Sequence, residues 1–318
     1  MSIISKDISK AAQLLSAGEL VAIPTETVYG LAGNIFNEDA IHKIFEVKQR
    51  PLFNPLIVHL HSINQINDVA SEFPEKAKLL AEAFWPGPLT LILKKNENIP
   101  DVITAGKDTV AIRMPHHPVT IELLQQIDFP LAAPSANPFN RISPTNAQHV
   151  AAYFEGKIPM VLDGGSCKKG IESTIVGFDE NNTIIYRLGS LSVEEIQKVI
   201  GPVILKDKAK SAPTAPGMLA KHYSPKTKTV LVENVSLAIK NYPEEQIGVL
   251  SLKDKFSGPT IKESCILSAT GNLDEAASNL YNALHILDQQ NLTLIIAERL
   301  PEQGLGISMN DRLERASS

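Results

Sequence analysis

This chain is short of most features that announce a function by themselves. It carries two cysteines, Cys167 and Cys265, among 318 residues. They lie far apart, form no zinc-type pair and cannot build a disulfide framework, so a reducing compartment fits. Aromatic residues make up 5% of the chain, with a single tryptophan, which argues against extended base-stacking platforms. No apolar run approaches the roughly 20 residues of a membrane span. The segment 1–7 lacks the apolar core of a signal peptide, and the expected location is cytoplasmic. Basic residues are not in excess: 30 Lys and Arg face 35 Asp and Glu, for a net charge of −5. That balance argues against a broad nucleic-acid-binding face. There is no Walker loop, no dinucleotide fingerprint and no nucleophile elbow. Internal repeats, coiled coils and low-complexity tracts are also missing.

What is present is an ordinary globular composition, 43% hydrophobic and 20% charged. The length suggests two domains at roughly 150 residues each. Residues 1–205 alternate helical and strand-like patterns. Helices are predicted over 8–15, 39–47, 75–84, 119–127 and 147–154, with a last one running from an N-cap at Ser192 to Gly201. Strands are predicted over 20–23, 89–93, 109–113, 131–133, 160–162, 173–176 and 184–186. A lysine- and proline-rich stretch without periodicity then reads as a linker, 206–227. Beyond it, strands over 229–232, 247–250, 265–267 and 294–297, with a long helix over 273–287, predict a small parallel α/β domain, 228–318.

The segment 48–59 carries the most functional information. Lys48 and Arg50 close a helical pattern, and Pro51, Asn54 and Pro55 forbid its continuation. The following strand is predicted to carry His59 out of the core. Positive charge would then be fixed beside a pocket wall, which suits a small anion such as a nucleotide. Taken alone, the helix macrodipole accounts for these cations slightly better. The first strand runs into Thr25, Glu26, Thr27 and Gly30, read equally as a pocket loop or a helix cap. Arg113 ends a strand where it could pair a carboxylate or phosphate bidentately, or an acid of the protein itself. The adjacent His116 and His117 read as a turn rather than a metal site. The loop 133–145 is dense in hydroxyls, amides and prolines and suits phosphate or ribose contacts. Near the glycine-rich loop 163–174, Ser173 starts a strand where its hydroxyl could face a pocket. Arg187 is a further possible phosphate contact.

Together these motifs resemble the YrdC-like family, specifically the long two-domain form of threonylcarbamoyl-adenylate synthase. The resemblance runs through 24–31, Lys48-Gln49-Arg50-Pro51, Asn54-Pro55-Leu56, Pro134-Ser135-Ala136-Asn137, 172–176, the linker segment 216–225 and the tail 304–313. It implies a twisted mixed-sheet YrdC-like domain with flanking helices, followed by a smaller Rossmann-like α/β domain. It also implies that L-threonine and bicarbonate form N-carboxythreonine, which attacks the α-phosphate of ATP and releases pyrophosphate. A downstream transferase would then pass the threonylcarbamoyl group to tRNA beside the anticodon. Thr27, His59, Arg113, Ala133 and Ser173 would line the threonine site, with Arg113 on the carboxylate. Lys48, Arg50, Asn54, Thr109, Ser135, Ser143, Arg187 and Tyr223 would hold ATP, and Lys48 and Arg50 would be the catalytic cations. His222 and Tyr223 would close over the nucleotide from the linker. Mg²⁺ is expected on the triphosphate, without a protein carboxylate cage. Asn140 stands where the family pattern has glycine, and asparagine tolerates the left-handed region. Direct tRNA contact is expected to be weak at most. The competing readings are an RNA-binding module and a different carbamoyl-adenylate enzyme.

Overall fold

The computed structural model describes residues 3–179, 182–206 and 222–317. Most of the expected linker, 207–221, lies outside the described residues. The first domain is built on one sheet of eleven strands. These are β1 (Ile3–Ser5), β2 (Val21–Ile23), β3 (Gly30–Asn34), β4 (Ile57–His59), β5 (Leu89–Lys94) and β6 (Thr109–Arg113). The remainder are β7 (Leu131–Ala132), β8 (Met160–Leu162), β9 (Thr174–Phe178), β10 (Thr183–Arg187) and β11 (Ile204–Leu205). Their order is β1-β8-β2-β3-β7-β4-β6-β5-β9-β10-β11, with parallel and antiparallel neighbours mixed. Central strands such as β2, β4 and β8 are buried throughout. Covering of both faces explains why they read as continuous apolar runs rather than alternating ones.

The register decides where chemistry can gather. His59 lies beside Arg113 across the β4–β6 pair. Thr90 lies opposite Arg113 across β5–β6, and beside Ile175 across β5–β9. Arg187 faces Ile175 across β9–β10. Residues of five adjacent strands, β4-β6-β5-β9-β10, therefore meet at one place. The expected helices form, including Glu38–Lys48, capped by the Asn37 side chain on Ala40 N–H at 3.0 Å. That helix stops after Lys48 because Gln49 turns left-handed at φ 54°. Its next residue, Arg50, returns its N–H to Phe45 O at 2.8 Å. β3 escaped sequence reading because Gly30 and Gly33 dilute its strand signal. The helices Val235–Lys240 and Leu305–Ala316 were also not read from periodicity.

The second domain holds β12 (Thr229–Val232), β13 (Ile247–Ser251), β14 (Ile261–Ile266) and β15 (Leu294–Glu298) in the order β12-β15-β13-β14. All its pairings are parallel. Successive residues of β15 face opposite sides. Leu294 and Ile296 pack with Val235 and Ala238 of helix Val235–Lys240. Ile295 and Ala297 pack with the helices Leu273–Asp288 and Leu305–Ala316. This second apolar cluster also takes in Val28, Ile142 and Ile171 of the first domain and Tyr223. The two helices are therefore the face by which the second domain docks.

Two contacts define that docking closely. Gly170 has φ +72°, and a Cβ there would lie 2.4 Å from Ala277 O and 2.5 Å from Ser278 Cα. Gly170→Val should force helix Leu273–Asp288 outward, costing about 1–3 kcal/mol as an overpacked contact. Small-angle scattering should show an enlarged particle with unchanged secondary structure. The second contact is a stack of His149 on His285, one from each domain, with ring centroids 3.8 Å apart. Burial, then the charge of its partner, pushes His149 from 6.5 to about 3. Burial pushes His285 from 6.5 to about 4. Both are neutral when folded, so the unfolded chain takes up more protons as pH falls below 6.5. Stability should decline from about pH 6.5 toward pH 4. In His149→Gln, chemical denaturation followed across that window should show a shallower decline.

Candidate functional site

Where the strand ends meet lies a narrow, partly open cavity of about 40 Å³. Its wall begins with the turn after β2. Thr25 Oγ1 donates to Val28 O at 2.6 Å and accepts the N–H groups of Thr27 and Val28 at 3.2 Å. The hydroxyl closes a local turn that presents buried Thr27 to the cavity, and neither threonine caps a helix.

Two cations are held next to it without a carboxylate partner among the described residues. Lys48 Nζ donates to the carbonyls of Ser135 and Asn137. Arg50 donates from Nε to Asn54 O at 3.1 Å and from Nη2 to Pro55 O at 2.8 Å. Burial, helped by Arg50, holds Lys48 well below the ordinary amine range. Burial and the nearby Arg187 lower Arg50 to about 9. The turn made by Pro51, Asn54 and Pro55 thus supplies the carbonyls that hold Arg50. The Asn54 side chain is fully buried, and neither its oxygen nor its nitrogen has a hydrogen-bond partner among the described residues.

On the opposite side, Arg113 Nη2 lies 2.8 Å from Glu26 Oε1, both side chains almost wholly buried. Glu26 Oε2 also accepts the N–H of His116 at 3.0 Å. The ion pair is close but not aligned as a hydrogen bond: Arg113 Nε and Nη2 have no hydrogen-bond partner among the described residues. His59 corrects the sequence expectation. It is not carried out of the core but is 2% exposed, with Nδ1 3.1 Å from Ile57 O. Burial, then the Arg113 charge, pushes it down to about 3, so it lines the cavity as a neutral ring. Ser173 Oγ lies 2.7 Å from Thr90 Oγ1 and accepts from Arg187 Nη2 at 3.0 Å. Arg187 also donates to Ser173 O from Nε at 3.1 Å and Nη2 at 2.9 Å.

The second domain closes the cavity from outside. Glu172 accepts from Ser143 Oγ at 2.6 Å, from the Tyr281 hydroxyl at 2.9 Å and from Arg312 Nε at 3.1 Å. Burial alone would raise its carboxyl, but Arg312, Arg187 and the Ser143 hydroxyl outweigh that and hold it below the ordinary range. Tyr223, at φ 62°, packs its ring on Tyr281, with the Arg312 guanidinium carbon 5.0 Å from the ring centroid. Its hydroxyl has no hydrogen-bond partner among the described residues. His222, beside it, returns its N–H to Arg315 O at 3.3 Å and is pushed far below its usual range by burial and by Arg50 and Lys48.

Of the residues singled out in the sequence, Thr27, Arg50, His59, Arg113, Ala133, Ser135, Ser173, Arg187 and Tyr223 line this cavity. Lys48, Asn54 and Ser143 stand behind the lining, tied to it through Ser135, Arg50 and Glu172. Thr109 sits at the start of β6, the end away from Arg113, and does not line the cavity. Asn140 takes the left-handed conformation expected of it, at φ 65°. Sequence reading gave no individual role to Thr90, Glu26, Glu172, Tyr281 or Arg312. Glu26 and Glu172 lay inside quoted motifs, so proximity to Thr27 and Ser173 was the available signal. Arg312 lay inside the quoted tail 304–313, whereas Tyr281 had no signal, because it meets Glu172 and Tyr223 only through domain docking. Among the described residues, no group of three or more His, Cys, Asp or Glu side chains could hold a metal ion. No helix among them is long and apolar enough to cross a membrane.

Comparison with known proteins gives the family. Residues 13–189 match the Sua5–YciO–YrdC family model, described as "Telomere recombination". Residues 191–318 match the model described as "Threonylcarbamoyl-AMP synthase, C-terminal domain". The Threonylcarbamoyl-AMP synthase of Pyrococcus abyssi is 42% identical over 315 residues, covering 96% of this chain and 93% of that protein. The protein of the same name from Bacillus subtilis is 41% identical over 324 residues, covering 98% and 92%. The crystal structure of P. abyssi Sua5 complexed with L-threonine superposes with a TM-score of 0.94 at 40% identity, covering 100% of this chain and 97% of that one. The chain therefore belongs to the Sua5–YciO–YrdC family, in the two-domain form that ends in the C-terminal domain of threonylcarbamoyl-AMP synthases.

Proposed function

We propose that this protein makes L-threonylcarbamoyl-AMP from L-threonine, bicarbonate and ATP, releasing pyrophosphate, and so supplies the threonylcarbamoyl group for tRNA modification next to the anticodon. The observation that carries the reading is a partly open cavity with positive charge at one wall and a guanidinium with unused hydrogen-bond directions at another. A buried cation without a counterion is costly unless an anion arrives. Lys48 and Arg50 supply that condition for a triphosphate, with Ser135 and Arg187 beside them. The unpaired amide of Asn54 is a further group awaiting a partner. Arg113 is suited to the planar carboxylate of an amino acid, with Thr27, Ser173 and the neutral His59 beside it.

The chemistry asks for little else. The carbamate oxygen of N-carboxythreonine attacks the α-phosphorus and the pyrophosphate oxygen leaves. The protein contributes position and charge stabilisation rather than a nucleophile. Arg50 faces the charge that builds on the leaving phosphates, and Lys48 supports it from behind the lining through Ser135. Mg²⁺ enters as part of the MgATP substrate, since Glu26 and Glu172 are both engaged by arginines. His222 and Tyr223 cover the nucleotide, and the second domain seats them. The product passes to a separate tRNA-modifying transferase.

Pyrophosphate release from MgATP should require both L-threonine and bicarbonate. Arg113→Lys, which keeps a partner for Glu26, should raise the KM for threonine by roughly a hundredfold through loss of the bidentate pair. The KM for ATP should change little. Release without threonine would contradict the reading, as would no release by the folded protein.

A further inference from the structure

Thr90 is fully buried on β5, behind the cavity wall, and among the described residues its hydroxyl has one hydrogen-bond partner, Ser173 Oγ at 2.7 Å. The direction of that hydrogen bond follows from counting protons. Arginine can only donate, so Arg187 Nη2, at 3.0 Å, occupies an acceptor position of Ser173 Oγ. One hydroxyl proton then lies between Thr90 and Ser173. If Ser173 gave it, the Thr90 proton would be buried with no acceptor among the described residues. Such an orphaned donor is disfavoured. If Thr90 gives it, the donor buried behind the wall is satisfied, and the proton left to find an acceptor is that of Ser173, which lines the cavity.

We infer that Thr90 is a positioning residue that fixes Ser173 as a hydrogen-bond donor to the amino-acid-derived substrate. The inference rests on the function proposed above. With Arg187 and Thr90 both donating to it, Ser173 Oγ has no acceptor capacity left and can only donate. Its partner is therefore an acceptor oxygen, of the kind presented by a carboxylate or carbamate. An ammonium group, which can only donate, is excluded at this position. Thr90 itself touches no substrate. Its strand places it opposite Arg113, so one β5 residue aligns the hydroxyl next to the guanidinium that would take the carboxylate.

The test uses the full chain with Thr90→Val, which keeps the shape and removes the hydroxyl, and Thr90→Ser, which restores it. Thr90→Val should raise the KM and the calorimetric Kd for L-threonine about tenfold, the scale of one lost hydrogen bond. The KM for ATP should stay within about twofold, and Thr90→Ser should return threonine affinity to within about twofold of wild type. In a Ser173→Ala background, Thr90→Val should add nothing, since its effect runs through Ser173. If Thr90→Val does not fold, Thr90→Ala takes its place. Wild-type threonine affinity in Thr90→Val, an equal loss in Thr90→Ser, or an additive effect on Ser173→Ala would overturn the inference. A wild-type protein that binds no threonine would instead overturn the proposed function on which it rests.

Discussion

Burying Glu172 is tolerable only because a hydroxyl, a phenol and a guanidinium surround it. The hydroxyl comes from Ser143 in the first domain, the other two from Tyr281 and Arg312 in the second. An uncompensated carboxylate at this depth would be strongly unfavourable. The first domain therefore has its cavity wall in a satisfied state only while the second domain is docked. Arg312 is itself fully buried and reaches Leu188 O and Asp311 as well as Glu172. Its guanidinium also lies against the Tyr223 ring. One ion pair thus links docking, the covering residues and the cavity wall.

The rest of the cavity follows a different electrostatic rule. Carboxylates are given to Arg113 and Arg312, while Lys48 and Arg50 are held by main-chain carbonyls. Carbonyls fix a cation's position without cancelling its charge. The consequence is positive charge, that of Arg50 above all, inside a chain whose net charge is negative. That concentration of field in a cleft matters more for capturing a polyanion than the overall charge does.

Much of this was legible in the sequence, for identifiable reasons. Strands such as 109–113 and 160–162 announce themselves because both sheet faces are buried. The helix stop after Lys48 is written in the prolines and asparagine that follow it. Arg50, Arg113 and Arg187 were visible as cations at element ends. What stayed hidden depended on three-dimensional packing. β3 hid behind its glycines. His59 was placed outside the core because a strand end was assumed to mean exposure, whereas the neighbouring strands and Arg113 enclose it. Thr90 looks like an ordinary strand residue until its hydrogen bond with Ser173 is known. Tyr281 and Arg312 join the site only through contacts between distant segments.

The dependence of the whole arrangement on the Glu172–Arg312 pair is best tested by a double-mutant cycle with Glu172→Gln and Arg312→Met. Unfolding free energy and threonine-dependent turnover would be read for the wild type, both single variants and the double. Arg312→Met alone should cost about 3–5 kcal/mol by leaving a buried charge unpaired. The double variant should then cost clearly less than the sum of the two single changes, in stability and in turnover alike. Additive effects would show that the two residues act independently, and would contradict the claim that this contact couples domain docking to the site.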